Sequence, residues 1–222
     1  MNTQDEHISF NQRKIKKSYR SVTGHFPSVK NNKSIGFESL LESFLFLALE
    51  FDDSVESYME QPQIQIVLNG KKKMYSADCY VKRFKDSNKR NTIIEVKYVR
   101  EIEEKKEYFE QKFEAARKAC EALNIDFVVV TEEKYSAIYI DNLDFLYRYK
   151  TNPTIFKYDK EILEKLENNK KTAYDLAKSI SNNLLEYQIV SNAIWNLVAK
   201  NVLKSDLHNE KLTMNSVVEI AS

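Results

Sequence analysis

The spacing of apolar residues predicts alternating helices and strands over the first two thirds of the chain. From Gly36, the segment GFESLLESFLFLALEFDD places apolar residues at helical intervals. The segment IQIVLNGKKKMYSADCYVKRF then alternates around Asn69-Gly70, which favours a hairpin whose second strand covers about residues 73–84. TIIEVKYV and DFVVVT are typical of two further strands, and a long charged helix over about residues 102–123 lies between them.

The pattern changes near residue 151, where TNPT carries a proline and indicates a boundary. Before it, AIYI favours a further short strand and DNLDFLYRY a short helix. After it come three helical patterns, at about residues 158–166, 172–180 and 186–201, and then two short strands around HNEK. The sequence therefore predicts an α/β domain over residues 1–150, with a mixed sheet flanked by helices, and a small winged-helix-like domain over residues 151–222.

Composition narrows the class of protein. The 222 residues include 42% hydrophobic and 30% charged residues but only three glycines and three prolines, which argues against a disordered chain. No apolar run approaches the ~18 residues of a transmembrane helix, and the polar N-terminus lacks the apolar core of a signal peptide. The two cysteines fit no metal-binding spacing, so we expect a reduced, cytoplasmic protein without a membrane association.

Charge is unevenly distributed, although the net charge is only +1. From Arg13 to Lys33 there are seven lysines and arginines and no acidic residue. A basic arm of this kind attracts the phosphate backbone of double-stranded DNA. A solvated tail without a partner is the alternative interpretation.

The strand IIEVKYV carries two opposite charges inside an apolar segment. Because residues two apart on a strand face the same side, Glu95 and Lys97 should lie side by side, with Ile94, Val96 and Tyr98 on the other face. A Glu–Lys pair on a sheet surface is common and stabilises little. The pair alone therefore does not establish a site.

A third charged residue strengthens the case for chemistry. Asp78 lies in YSADCYV, on the strand before Glu95, and antiparallel pairing of the two strands would bring these carboxylates together. Two neighbouring carboxylates repel each other unless a cation lies between them, and Mg²⁺ prefers such oxygen ligands. With Lys97 beside them, the group suits metal-assisted hydrolysis of a phosphodiester.

The first predicted helix offers a further acidic residue. Glu38 and Glu42 are four residues apart and share one face of the helix, and Glu42 borders the apolar stripe. A carboxylate at that border either forms a surface salt bridge or points into a site.

These motifs together resemble a known family. The order of elements, with Glu on the first helix, Asp on a hairpin strand and Glu-x-Lys on the next, resembles a restriction-endonuclease-like core. More specifically, the chain is similar to TnsA, the endonuclease subunit of heteromeric bacterial transposases. The segments that carry the resemblance are TGHFPSVKNNKSIGFESLLE, LEFDDSVESYMEQPQ, YSADCYV and IIEVKYV.

The resemblance implies roles for individual residues. It places the family's catalytic positions on Glu42, Asp78, Glu95 and Lys97, although many relatives have proline where this chain has Ala77. Asp78 and Glu95 are then expected to bind Mg²⁺, for which Mn²⁺ would substitute, with the Val96 carbonyl as a candidate third ligand. Glu42 is expected to assist as a further ligand or by holding metal-bound water. Lys97 is expected to orient or polarise the water and the phosphate.

The resemblance also implies a function and partners. Similar proteins cut the 5′ strands at transposon ends, while an integrase-like transposase subunit cuts the 3′ strands and an AAA+ ATPase regulator couples cutting to target choice. We therefore expect a metal-dependent DNA endonuclease that acts in cut-and-paste transposition. The alternatives are a stand-alone restriction or repair nuclease, and a non-catalytic module that binds DNA or a partner.

Overall fold

The computed structural model describes residues 8–10, 22–151, 157–167 and 169–221, and these form two compact units divided between Tyr135 and Ser136. Positions 13–21 of the expected basic arm lie outside the described residues. The rest of that segment, from Gly24 onward, is a two-stranded hairpin. Within the described part of the chain, no helix combines the length and apolar character needed to cross a membrane.

The first unit contains nine strands and three α-helices among its described residues, and a short 3-10 helix at Glu132–Lys134. Their bounds are β1 (Ser9–Phe10), β2 (Gly24–Ser28), β3 (Lys33–Phe37), α1 (Leu40–Phe51), β4 (Val55–Glu60), β5 (Pro62–Leu68), β6 (Lys71–Ser76), β7 (Cys79–Arg83), β8 (Thr92–Val96), α2 (Val99–Glu104), α3 (Lys106–Ala122) and β9 (Asp126–Val130).

The main sheet has the strand order β4-β7-β8-β9. Strand β7 pairs antiparallel with both β4 and β8. Strands β8 and β9 pair parallel, and the helices α2 and α3 connect them along the chain. Strands β1, β5 and β6 form a second sheet, and β2 pairs with β3. The expected α/β fold with a mixed, helix-flanked sheet of the restriction-endonuclease-like type is confirmed.

Strand β8 is central and buried on both faces. Ile94 and Val96 pack into the core formed with α1, while Ile93 packs into the core formed with α3. Each large aliphatic side chain buried in this way contributes roughly 1.5–3 kcal/mol. The strand therefore provides a rigid support for the charged residues at its C-terminal end.

Helix α1 begins later than the sequence pattern indicates. Gly36 and Phe37 belong to β3, and Ser39 caps the helix by accepting a hydrogen bond from the Glu42 amide at 3.1 Å. Apolar side chains at helical spacing, including Leu41 and Leu45, then pack into the core. The start of the helix is set by Ser39 and not by the first apolar residue, because a serine in extended backbone accepts a hydrogen bond from an amide that the helix leaves unpaired.

Three other sequence-based boundaries were wrong. The second hairpin strand is broken at residues 77–78 and divides into β6 and β7, which lie in different sheets. The long charged helix is interrupted at Lys105, whose backbone (φ −131°, ψ 39°) is not helical and separates α2 from α3. Tyr98 lies beyond the end of β8 and is 40% exposed, so it does not continue the apolar face of that strand.

The second unit contains helices and a small sheet. Its elements are α4 (Ala137–Lys150), α5 (Asp159–Leu166), β10 (Lys171–Thr172), α6 (Ala173–Ile180), α7 (Leu184–Ala199), β11 (Leu203–Lys204) and β12 (Val217–Ile220), with the sheet order β10-β12-β11. The three helical patterns and two late strands expected from the sequence are present. The winged-helix interpretation of this unit stays a prediction.

Helix α4 differs from its sequence-based interpretation in both form and place. AIYI is the first turn of one continuous helix rather than a strand, because Ser136 caps it by accepting a hydrogen bond from the Tyr139 amide. The amide of Asn142 donates to the carbonyls of Leu207 and Glu210. These contacts place α4 in the second unit, so the two compact units divide earlier than the boundary expected at residue 150.

Candidate active site

The bend at residues 77–78 determines where Asp78 lies. The Asp78 amide donates to the Ile94 carbonyl at 3.1 Å, and its carbonyl accepts from the Gln61 amide at 3.1 Å. Gln61, between β4 and β5, has a positive φ of 53°. The chain therefore bends at Gln61 directly opposite its bend at residues 77–78. The chain passes there from one sheet to the other, and a bend of this kind changes the direction of a side chain.

Asp78 is brought to the end of β8, as antiparallel pairing of β7 and β8 predicts. Its Oδ2 accepts a hydrogen bond from the Val96 amide at 2.6 Å. The pairing registers Cys79 with Ile94, so Asp78 lies beside Glu95 and Val96. The predicted proximity of the aspartate to the Glu-x-Lys segment is therefore present in the fold.

Lys97 lies among the three oxygens that were expected to bind metal. Its Nζ donates to the Val96 carbonyl at 2.8 Å, and lies 3.1 Å from Glu95 Oε1 and 3.7 Å from Asp78 Oδ2. The side chains of Lys97 and Asp78 are 23% and 26% exposed, whereas that of Glu95 is 3% exposed. Two carboxylates and a main-chain carbonyl therefore converge on one point that solvent reaches from the side of Asp78 and Lys97.

The pKa of Asp78 reflects its burial and its charged neighbours. Burial and then the neighbouring Glu95 carboxylate raise the pKa of Asp78 to about 7, although Lys97 acts in the opposite direction. Burial by itself would lower the pKa of the Lys97 ammonium, but Asp78 and Glu95 outweigh burial and leave that pKa raised. Lys97 is thus held in its charged form beside the two carboxylates.

Glu42 is close enough to take part in this electrostatic balance. Its charge raises the pKa of Asp78, and Lys97 in turn acts on Glu42. Both of its carboxylate oxygens are nevertheless engaged locally, since Oε1 accepts from the Ser39 hydroxyl at 2.8 Å and Oε2 from the Glu38 amide at 3.0 Å. Ser39 and Glu42 are the residue types of a capping box, but the glutamate accepts from the Glu38 amide instead of the Ser39 amide. The segment F-E-S-L-L-E alone did not lead us to predict this arrangement. Burial raises the pKa of Glu42.

Two side chains that contact Glu95 were not predicted from the sequence. Tyr75 Oη donates to Glu95 Oε2 at 2.7 Å, and Lys112 Nζ lies 3.7 Å from Glu95 Oε1. Tyr75 lies in β6, just before the bend at residues 77–78, and Lys112 lies in α3. The position of Lys112 on a helix, three residues after Phe109, was a usable signal, because it places the lysine at the border of the apolar stripe.

The donor atoms present fit a hard divalent cation. Mg²⁺ is commonly bound by one or two carboxylates with water and substrate phosphate completing its shell. Asp78, Glu95 and the Val96 carbonyl supply oxygen atoms of this kind, and a bound cation would favour the ionised form of Asp78, which burial and Glu95 disfavour. In the part of the chain that the structure describes, no three His, Cys, Asp or Glu side chains form a metal-binding group, so a metal here would depend on two carboxylates.

Comparison with known proteins identifies the part of the chain that carries this site. Residues 52–132 match the family model described as "TnsA-like endonuclease N terminal". The matched range includes Asp78, Glu95 and Lys97 and begins after Glu42. No curated protein matches the chain. The resemblance inferred from the sequence is therefore confirmed, on a match that covers less than half of the chain.

Proposed function

We propose that the chain is the endonuclease subunit of a heteromeric transposase, because residues 52–132 match the family model described as "TnsA-like endonuclease N terminal". In this proposal it cuts the 5′ strands at transposon ends in a Mg²⁺-dependent reaction, for which Mn²⁺ would substitute. The family match supports a transposase-associated nuclease. The observation that carries the finer proposal is the convergence of Asp78, Glu95 and Lys97 at the end of β8.

Each residue of the cluster has a chemical role in this proposal. Asp78, Glu95 and the Val96 carbonyl would hold the metal, which when bound stabilises charge on the phosphate and lowers the pKa of the attacking water. Lys97 places an ammonium next to the phosphate, where negative charge develops as the P–O bond breaks. Its raised pKa keeps that ammonium protonated at neutral pH.

Glu42 is proposed to act from the first turn of α1. Its carboxylate is fixed by Ser39 and the Glu38 amide, so it adds negative charge at a constant place relative to Asp78. In this arrangement Glu42 would assist by holding metal-bound water, or would serve as a further ligand if its capping contacts open. A carboxylate on the rigid end of a helix is better positioned than one on a loop.

The proposed partners are inferred from the matched family and not from the geometry of the site. We propose that the chain acts on double-stranded DNA together with an integrase-like transposase subunit and an AAA+ ATPase regulator. The basic segment before residue 34 suits contact with the phosphate backbone. The second unit, with its proposed winged-helix character, is a candidate for contact with DNA or with one of these proteins.

The test is a strand-specific cleavage assay with the full chain, the transposase subunit and a plasmid carrying the transposon ends. We expect 5′-strand cuts with Mg²⁺ that vanish with EDTA and in Asp78→Ala, while the transposase still cuts the 3′ strands. Asp126→Ala is the matched control, since Asp126 is half exposed at the start of β9, paired with Thr92 rather than with the end of β8.

Each alternative predicts a different outcome. Metal-dependent cutting of DNA that lacks transposon ends, by the chain alone, would establish a stand-alone restriction or repair nuclease. Salt-sensitive DNA binding without cutting, in every combination of partners and metal, would establish a non-catalytic binding module.

A further inference from the structure

The hydrogen bond between Tyr75 and Glu95 determines which oxygen of Glu95 faces the candidate site. Tyr75 Oη donates to Glu95 Oε2 at 2.7 Å, and the two residues are only 3% and 2% exposed. Oε1 is the oxygen that lies 3.1 Å from Lys97 Nζ. One carboxylate oxygen is thus turned toward the tyrosine and the other toward the cluster with Asp78.

Tyr75 is itself held from two sides. Lys112 Nζ lies 4.7 Å from the centroid of the Tyr75 ring, and the Phe127 ring packs against it at a centroid distance of 6.0 Å. Cation–π and ring contacts of this kind fix the plane of the ring. The hydroxyl therefore has a defined direction, and Lys112 also approaches Glu95 Oε1 at 3.7 Å.

We propose that Tyr75 is a positioning residue, which orients the Glu95 carboxylate so that Oε1 is available to the metal. This inference rests on the proposed function, because it takes Glu95 as a metal ligand. Ligating carboxylates are generally held by hydrogen bonds from neighbouring groups, and loss of such a partner typically weakens metal binding by about 10- to 100-fold. Lys112 supports Tyr75 through its ring.

A buried tyrosine–glutamate hydrogen bond also has a purely structural interpretation, and the chain supplies a matched control for it. Tyr58 Oη donates to Glu50 Oε1 at 2.7 Å, the same distance, and both residues are fully buried. This second pair joins β4 to α1 and also receives the Ser28 hydroxyl. Tyr58→Phe and Tyr75→Phe therefore remove the same group from the same type of contact in two different places.

The experiment is a calorimetric titration of Mn²⁺ into the full chain, with thermal unfolding of the same samples. We expect the Kd for Mn²⁺ to weaken by about 10- to 100-fold in Tyr75→Phe and to stay at the wild-type value in Tyr58→Phe. Both variants are expected to melt at a lower temperature than the wild type, because each loses a buried hydrogen bond.

Three results would overturn the proposal. Wild-type Mn²⁺ affinity in Tyr75→Phe, with a lower melting temperature, would assign the tyrosine to stability alone. Equal losses of affinity in both variants would mean that metal binding follows overall stability. Absence of Mn²⁺ binding in the wild type would refute the metal dependence of the proposed function, and the role of Tyr75 would fail with it.

Discussion

Replacing Asp78 by asparagine should stabilise the folded protein at alkaline pH while removing the charge of a proposed metal ligand. Asparagine keeps an oxygen that can accept the Val96 amide, which donates to Asp78 Oδ2 at 2.6 Å, but it carries no charge. Burial and the Glu95 carboxylate raise the pKa of Asp78 from 3.8 to about 7. The ionised aspartate is therefore less favourable in the folded chain than in the unfolded chain.

The size of the effect follows from this pKa. A rise from 3.8 to about 7 corresponds to roughly 4 kcal/mol of lost stability once Asp78 is fully ionised. Because the side chain is 26% exposed and water screens part of the interaction, we expect a gain of about 2 kcal/mol in the free energy of unfolding of Asp78→Asn at about pH 8.5.

The sign of the pH dependence is fixed by proton linkage. Between about pH 4 and pH 7 the folded wild type binds more protons than the unfolded chain, so its free energy of unfolding falls as pH rises through this window. Asp78→Asn lacks this loss. The gain should therefore be largest above pH 7, smaller at about pH 5, and absent below about pH 4, where Asp78 is protonated in both states.

Urea unfolding followed by circular dichroism, at several pH values, measures this difference. Asp52→Asn is the matched control with the opposite sign. Burial alone would raise the pKa of Asp52, but the Ser54 hydroxyl and Arg83, whose Nη1 lies 2.6 Å from Asp52 Oδ2, outweigh burial and lower it. Its stabilising contribution is present at neutral pH and is lost as pH falls through the lowered pKa, so Asp52→Asn should be less stable than the wild type at neutral pH.

The reasoning on Asp78 would be refuted by either of two results. Asp78→Asn could be less stable than the wild type at about pH 8.5, which would mean that its charge stabilises the fold. Alternatively, a gain that does not change with pH would arise from packing rather than from the carboxylate charge.

Three other substitutions test separate parts of the structure. Glu42→Gln should keep the wild-type melting temperature, because the glutamine side-chain oxygen can also accept from the Glu38 amide, yet it should lower metal-dependent cleavage. Equal losses of both would leave only a capping role. Ser39→Ala should lose about 1 kcal/mol in urea unfolding, and an unchanged midpoint would contradict the cap. Asn142→Ala removes a 2%-exposed amide bonded to three main-chain groups in residues 207–212, so a loss of about 2–3 kcal/mol is expected; wild-type stability would contradict this.

Much of the candidate site could be predicted from local sequence. The two-residue repeat of IIEVKYV places Glu95 and Lys97 on one face, and the turn before β8 makes antiparallel pairing with β7 the simplest arrangement. Together these bring Asp78 to the end of β8, which the structure shows. Their catalytic and metal-binding roles stay predictions until they are measured.

Local patterns were less informative about where elements break. Polar–apolar alternation continues through residues 77–78, yet the chain passes from one sheet to the other there. The reason is that the chain bends both at Gln61 and at Asp78, which are joined by a main-chain hydrogen bond. AIYI has β-favouring residues and forms the first turn of α4, because Ser136 caps the helix and Asn142 anchors it. At residues 77–78 contacts with distant residues outweigh local propensity, and at AIYI a local cap and a distant contact do so together.

The sequence by itself thus determined the fold class and the side of β8 on which the charged residues lie, since periodicity depends only on neighbours along the chain. Only the tertiary structure decided how the site is charged and held. Tyr75 and Lys112 come from β6 and α3, and their distances from Glu95 depend on how these elements pack. The raised pKa of Asp78 likewise arises from burial and from Glu95, because both effects depend on distances in space rather than on positions along the chain.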